Sequence, residues 1–226
     1  MPQYTIFRIL GDESPPRDTP GRRIEALQWI LANEPRFPDS HCWWVVNVAA
    51  DEALRREYVS VLSQAQASFT MRQRDWAQYP AGGTQKERVR FIIDINGARN
   101  ACIEHGQRCS RYTFVLDGDC FFLQPDWDEI TRGLAANQNG PTPAQYFSLP
   151  TRRVSAQDPT RFLEATTTEP MLGFRYDAAQ RFDASRCFGN RDKQEFLFRL
   201  GYDELARSPY RQRRGRRFAD HHRHRP

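Results

Sequence analysis

Three short runs, "YTIFRIL" (4–10), "HCWWVVNVA" (41–49) and "YTFVLDGDCFF" (112–122), are apolar on most of their positions. Runs of that length and continuity read as strands covered on both faces. The segments between them follow a helical period instead. "RRIEALQWILANEP" sets Ile24, Leu27, Ile30 and Leu31 on one stripe and stops at Pro35. Asp51 stands where an N-cap belongs, ahead of Leu54, Tyr58, Val61 and Leu62 at i, i+4, i+7 and i+8. "SFTMRQ" (68–73) reads as a third strand, "QYPAGGTQ" as a loop, and "NGARNACIEHG" as a helix beginning near Asn96 and ending before Gly106. A capped helix from Asp126, a strand "YFSLPTRRV" and a last periodic segment "DKQEFLFRL", closed by Gly201, complete the series. Strands alternating with helices predict an α/β fold with a mostly parallel central sheet flanked by helices. We expect a single domain over 1–208 and a basic Arg/His-rich tail at 209–226.

Charge and cysteine usage narrow the class. The formal net charge of +5 is concentrated in "RQRRGRRFADHHRHRP", whose seven Arg and one Asp leave the remaining body near neutral. That body is an ordinary globular surface, so nucleic acid is not an expected partner. The tail admits contact with an anionic membrane surface, and equally a solvated terminus. The five cysteines, 42, 102, 109, 120 and 187, form no C-x-x-C pair, which argues for reduced thiols rather than a disulfide framework or a zinc knuckle. No apolar run reaches the length of a membrane span, and the first residues lack the pattern of a signal peptide. The expectation is a cytoplasmic protein, with a homodimer left open.

Asp117 and Asp119 close the third run, one residue apart. Burying an unpaired carboxylate costs several kcal/mol, so the pair needs water, a counter-charge or a metal. Residues i and i+2 of a strand face the same side and reach one site together. Ligands of open α/β sheets bind at the carboxyl ends of strands. A pair of carboxylates there suits a hard cation, Mn²⁺ or Mg²⁺, with substrate phosphates completing its shell. Gly118 between them is read as allowing a ligand close to the backbone. Asp-Gly is also a common solvated turn, and the pair alone does not choose.

"NGARN…YTFVLDGDCFFLQPDW" resembles the core of the GT-A glycosyltransferases, family 2 in particular. "EPMLGFRYDAAQRFDASRCFGNRDKQEFLFRLGY" (169–202) is similar to the acceptor-side half of the same family through Phe174-Arg175, Phe182-Asp183, Asp192 and Arg199-Leu200-Gly201-Tyr202. The resemblance spans about residues 4–202, and is loosest over 41–90. It implies a metal-dependent transferase that moves a sugar from a nucleotide-diphosphate donor to an acceptor, which could be a glycan, a peptide or a small molecule. Asp119 would hold the metal, and Asp117 the donor ribose or the metal's water shell. Arg99 would add a cation to the phosphates or form a surface ion pair. Asn96 and Asn100 would position the strand-end loop or cap the helix.

In inverting members a carboxylate takes the acceptor's proton, from a Glu-Asp pair opening a helix. Here that place reads Arg191-Asp192, so Asp192 is the candidate base and Glu169 the reserve. A helix-terminal Asp complementing the dipole is the plainer reading of Asp192. The nucleobase pocket would be drawn from Gly11, Asp12, Asn47 and Asp51 at the ends of the first two strands, although Asp51 is also a natural cap. Trp127 is a candidate stacking ring, whereas Trp43 and Trp44 sit mid-strand. His221, His222 and His224 are the late histidines available as a third metal ligand. Two other functions remain. A nucleotidyltransferase would need a Gly-rich phosphate loop, which "LGDESPPRDTPGRR" does not supply. A catalytically degenerate fold acting as a binding or scaffold module is consistent with the Arg in place of Glu before Asp192.

Overall fold

The computed structural model describes residues 2–13, 19–149, 151–154, 171–186 and 192–201. The expected α/β architecture is present. Six strands form one sheet in the order β3-β2-β1-β4-β8-β6: β1 (Tyr4–Leu10), β2 (Ser40–Val46), β3 (Phe69–Met71), β4 (Tyr112–Asp117), β6 (Tyr146–Leu149) and β8 (Met171–Arg175). β1 pairs in parallel with both β2 and β4, and β2 with β3; β8 runs antiparallel to its neighbours β4 and β6. A separate two-stranded antiparallel ribbon joins β5 (Cys120–Phe121) to β7 (Arg152–Arg153).

The helices are α1 (Arg22–Asn33), α2 (Glu52–Gln64), α3 (Gln85–Ile93), α4 (Ile95–Cys109), α5 (Gln124–Gln138) and α6 (Asp192–Arg199). Alternation along β1 explains how they divide. Tyr4 and Ile6 pack with Trp127, Ile130 and Leu134 of α5, and Leu10 packs with the buried faces of α1 and α2. Phe7 and Ile9 point the other way, toward Ala98, Cys102 and Ile103 of α4 and Phe196 and Leu197 of α6. Arg8 lies on the first face, fully buried. Its Nε donates to the Cys120 carbonyl at 2.8 Å, its guanidinium pairs with Glu34, and it lies 5.3 Å from the Trp44 ring centroid. A buried cation so partnered does not need solvent.

Several local expectations change. α3 was not foreseen; Thr84 and Glu87 form its capping box. Asp94, not Asn96, caps α4, accepting from the Gly97 amide at 3.2 Å. Gly106 lies inside α4 rather than past its end, at a position where a Cβ would collide with the Thr113 side chain of β4. The run 112–122 breaks at Gly118 into β4 and β5, and "YFSLPTRRV" divides between the main sheet and the ribbon. Trp127 is a core residue, not a stacking platform, whereas Trp44 is core as its mid-strand place implied. No helix among the described residues is long and apolar enough to cross a membrane. The tail at 209–226 lies outside the described residues.

The sheet's topology locates the site. β2 and β3 extend from one edge of β1, and β4 returns to the other edge. The carboxyl ends of β1 and β4 therefore flank the point where strand order reverses, the usual crevice of such sheets. Asp117, paired in register with Ile9, is the last residue of β4 at that point.

Candidate active site

Asp117 leaves the sheet into a ring of cations. Lys193 Nζ donates to its Oδ2 at 2.9 Å, Arg153 Nη2 to the same oxygen at 2.7 Å, and Arg99 Nη2 to Oδ1 at 3.3 Å. Burial pushes the Asp117 carboxyl up, but Lys193, Arg99 and Arg153 outweigh it and hold the group far below the usual carboxylate range. Asp119 meets the same guanidinium, Arg153 Nη1 donating to its Oδ2 at 3.3 Å. Arg153 thus spans the two carboxylates like a clamp.

Each cation comes from a different element. Arg99 stands on the first turns of α4, with its side chain 7% exposed and its guanidinium 5.2 Å from the Phe182 ring centroid. It donates to Asn96 Oδ1 at 3.0 Å, and Asn96 in turn donates to the Asp183 carbonyl at 3.0 Å. Asn100 adds a reciprocal pair with the Phe182 backbone, at 2.9 Å in both directions. The two asparagines therefore fasten Phe182 and Asp183 to α4, and Asn96 also orients Arg99. Lys193, on the first turn of α6, is 1% exposed and lies 3.2 Å from the Met171 thioether. Arg152 and Arg153 are successive strand residues and face opposite ways. Arg152 forks onto Asp126 at the start of α5, at 2.8 and 3.1 Å, so Arg153 is left turned toward the aspartates.

Asp192 opens α6 beside Lys193, buried, with Oδ2 at 3.8 Å from Arg99 Nη1. Residues expected from distant parts of the chain, Asp117, Asp119, Asn96, Arg99 and Asp192, therefore meet in one cluster. Glu169 and the late histidines lie outside the described residues. The set expected to hold a nucleobase does other work. Asp12 accepts from the backbone amides of Ala49, Ala50 and Asp51, each at 3.1 Å, and so fixes the turn after β2. Asn47 donates to the Ile93 carbonyl at 2.8 Å and accepts from Arg74 at 2.8 Å, tying β2 to the end of α3. Asp51 caps α2 through the Leu54 amide at 2.9 Å. The Gly11 carbonyl accepts from the Tyr58 hydroxyl at 3.4 Å.

Gly118 also has a different reason from the one expected. A Cβ there would lie 2.8 Å from the Ile9 carbonyl oxygen and 2.8 Å from Leu10 Cδ2. It is the approach of β1, rather than of a ligand, that needs glycine between the aspartates. Lys193 and Arg153 were not singled out in the sequence. A lysine one residue into a helix and an arginine in "TRRV" each read as solvated charge. Only the pairing of Arg152 with Asp126, which fixes the phase of β7, could have pointed to Arg153.

The donor set can be tested against a divalent cation. Asp117, Asp119 and Cys120 offer ligand atoms within 4.8 Å of one another. Burial, reinforced by Asp119, pushes the Cys120 thiol well above its ordinary range, so it is protonated and a poor ligand. Both oxygens of Asp117 already accept from cationic side chains, and Arg153 stands between the two carboxylates. In this arrangement the pair does not fit a bridging Mn²⁺ or Mg²⁺, because the chain's own cations hold the place.

No family model matches the chain, and no curated protein matches it. Among solved structures it is similar to S. aureus TarS, with a TM-score of 0.46 and 10% identity over 86% of this chain and 32% of that one. It is similar to S. aureus TarS 1–349 at the same TM-score of 0.46, with 11% identity over 86% of this chain and 54% of that one. The chain spans about half or less of the length of these neighbours.

Proposed function

We propose that the chain is a glycosyltransferase that moves a sugar from a nucleoside-diphosphate donor to an acceptor hydroxyl. One observation carries this reading: Lys193 reaches across 76 residues of sequence to Asp117, at 2.9 Å, so the strand-end aspartates and the helix opened by Asp192 form one site. The two sequence blocks that carry the resemblance thus face each other. The leaving diphosphate gains negative charge as its bond to the anomeric carbon breaks. Fixed cations already in place stabilise that charge without reorganising. Arg99, Lys193 and Arg153 are those cations.

The acceptor oxygen forms the new bond to the anomeric carbon, the old carbon–oxygen bond leaves its electron pair on the diphosphate, and the acceptor proton passes to a carboxylate. Asp192 is assigned that role, which makes transfer inverting, with Arg99 3.8 Å from its carboxylate. Asn96 acts through Arg99 by accepting from its guanidinium, and Asn100 holds the backbone of Phe182, whose ring lies against that guanidinium. A second reading, a binding module without turnover, is favoured by the burial of Asp192, which limits an acceptor's access to it.

Thermal shift with UDP, GDP, CDP and dTDP tests the donor class. A nucleotide at about 100 times its dissociation constant adds roughly 2.7 kcal/mol, a rise of several degrees. One nucleotide is expected to give that rise. A flat response to all of them removes the transferase reading.

A further inference from the structure

We infer that this site binds its donor diphosphate through Arg153, backed by Lys193 and Arg99, without requiring a divalent metal, Arg153 standing where such an ion would bridge the two aspartates. The inference rests on the transferase reading and specifies how its donor is held.

The argument is one of charge and position. Two strand-end carboxylates face three cationic side chains, with Asp192 on the far side of Arg99. A divalent ion placed between Asp117 and Asp119 would have to displace Arg153 and then sit beside Lys193 and Arg99, against like charge. A diphosphate arriving at the same edge meets Arg153, the most exposed of the three cations. The three cations differ in exposure in a way that divides their work. Lys193 and Arg99 are 1% and 7% exposed and neutralise Asp117 from within. Arg153 is 25% exposed at the rim and reaches both aspartates. The ribbon partner of β7 is β5, which starts immediately after Asp119, and Val154 N donates to the Asp119 carbonyl at 2.9 Å. Backbone pairing therefore fixes Arg153 against the strand end, so its position does not depend on a flexible side chain alone.

Isothermal titration of UDP, GDP, CDP and dTDP into the full chain, in EDTA and in Mn²⁺, tests this with the wild type and Arg153→Ala. The wild type is expected to bind one nucleotide with affinities in the two buffers within about threefold of each other. Arg153→Ala is expected to weaken binding in EDTA at least tenfold. Arg153→Lys, which keeps the charge but not the fork, should fall between them. Binding by the wild type in Mn²⁺ that EDTA abolishes overturns the inference and leaves the transferase reading standing. Unchanged binding by Arg153→Ala in EDTA also overturns it. No binding of any nucleotide in either buffer overturns both.

Discussion

The two strand-end aspartates should respond very differently to removal of their charge. Asp117 accepts from three cations at 2.7–3.3 Å, and two of them, Lys193 and Arg99, are buried. Asp117→Asn keeps the shape and leaves those two positive groups facing a neutral amide. Removing one partner from a buried charge cluster costs about 3–5 kcal/mol. Asp119, about a third exposed, meets Arg153 at 3.3 Å. Its loss to Asn should cost about 0–1 kcal/mol, as for a solvent-screened pair. For a chain of this size the larger cost corresponds to a fall in melting temperature of roughly 10 °C.

The same contrast has a pH signature. The folded carboxyl of Asp117 titrates below its unfolded counterpart, because the three cations outweigh burial. Its stabilisation is therefore fully present above about pH 4 and is lost as the medium becomes more acidic. Asp117→Asn should lose less stability than the wild type between about pH 4 and pH 2. Urea unfolding at neutral and acid pH measures both effects. Equal costs for the two substitutions, within about 1 kcal/mol of each other, would show that the cations do not depend on Asp117 and would refute the electrostatic picture of the site.

Other consequences follow from the same geometry. Gly118→Ala places a Cβ 2.8 Å from the Ile9 carbonyl, and backbone cannot yield as a side chain can, so a loss of about 1–3 kcal/mol is expected in a thermal melt. A melt matching the wild type would show that β1 has room to move. Glu34→Gln strips the counter-charge from fully buried Arg8 and should cost about 3–5 kcal/mol in urea unfolding. A cost below about 1 kcal/mol would mean that the Cys120 carbonyl and Cys42 suffice.

What the sequence disclosed follows from the range of the forces involved. α2 was legible because Asp51, Leu54, Tyr58 and Leu62 combine a local cap with a buried stripe. The central strands were legible because burial on both faces leaves a nearly continuous apolar run. α3 has no buried residue, so it carries no stripe by which periodicity would reveal it. Asp117 and Asp192 stood out as acids in motif positions. Lys193 and Arg153 did not, because their burial and pairing are products of contacts 76 and 36 residues away. The nucleobase candidates show the same limit of range. Asp12, Asn47 and Asp51 have the right chemistry for a base edge, and the sequence does not show that each also bonds nearby backbone amides or carbonyls.

The central claim is that Asp117, Asp192 and their cations form a sugar-transfer site. Release of nucleoside diphosphate from UDP-, GDP-, CDP- and dTDP-sugars, with a mixed set of saccharide acceptors, tests it most directly when wild type and Asp192→Asn are compared. The account predicts turnover of one nucleotide class by the wild type. It also predicts a fall of about 10²–10⁴-fold in the variant, the range for losing a general base, with nucleotide binding retained. Equal turnover by both proteins, or bound nucleotide with no turnover by either, would contradict it.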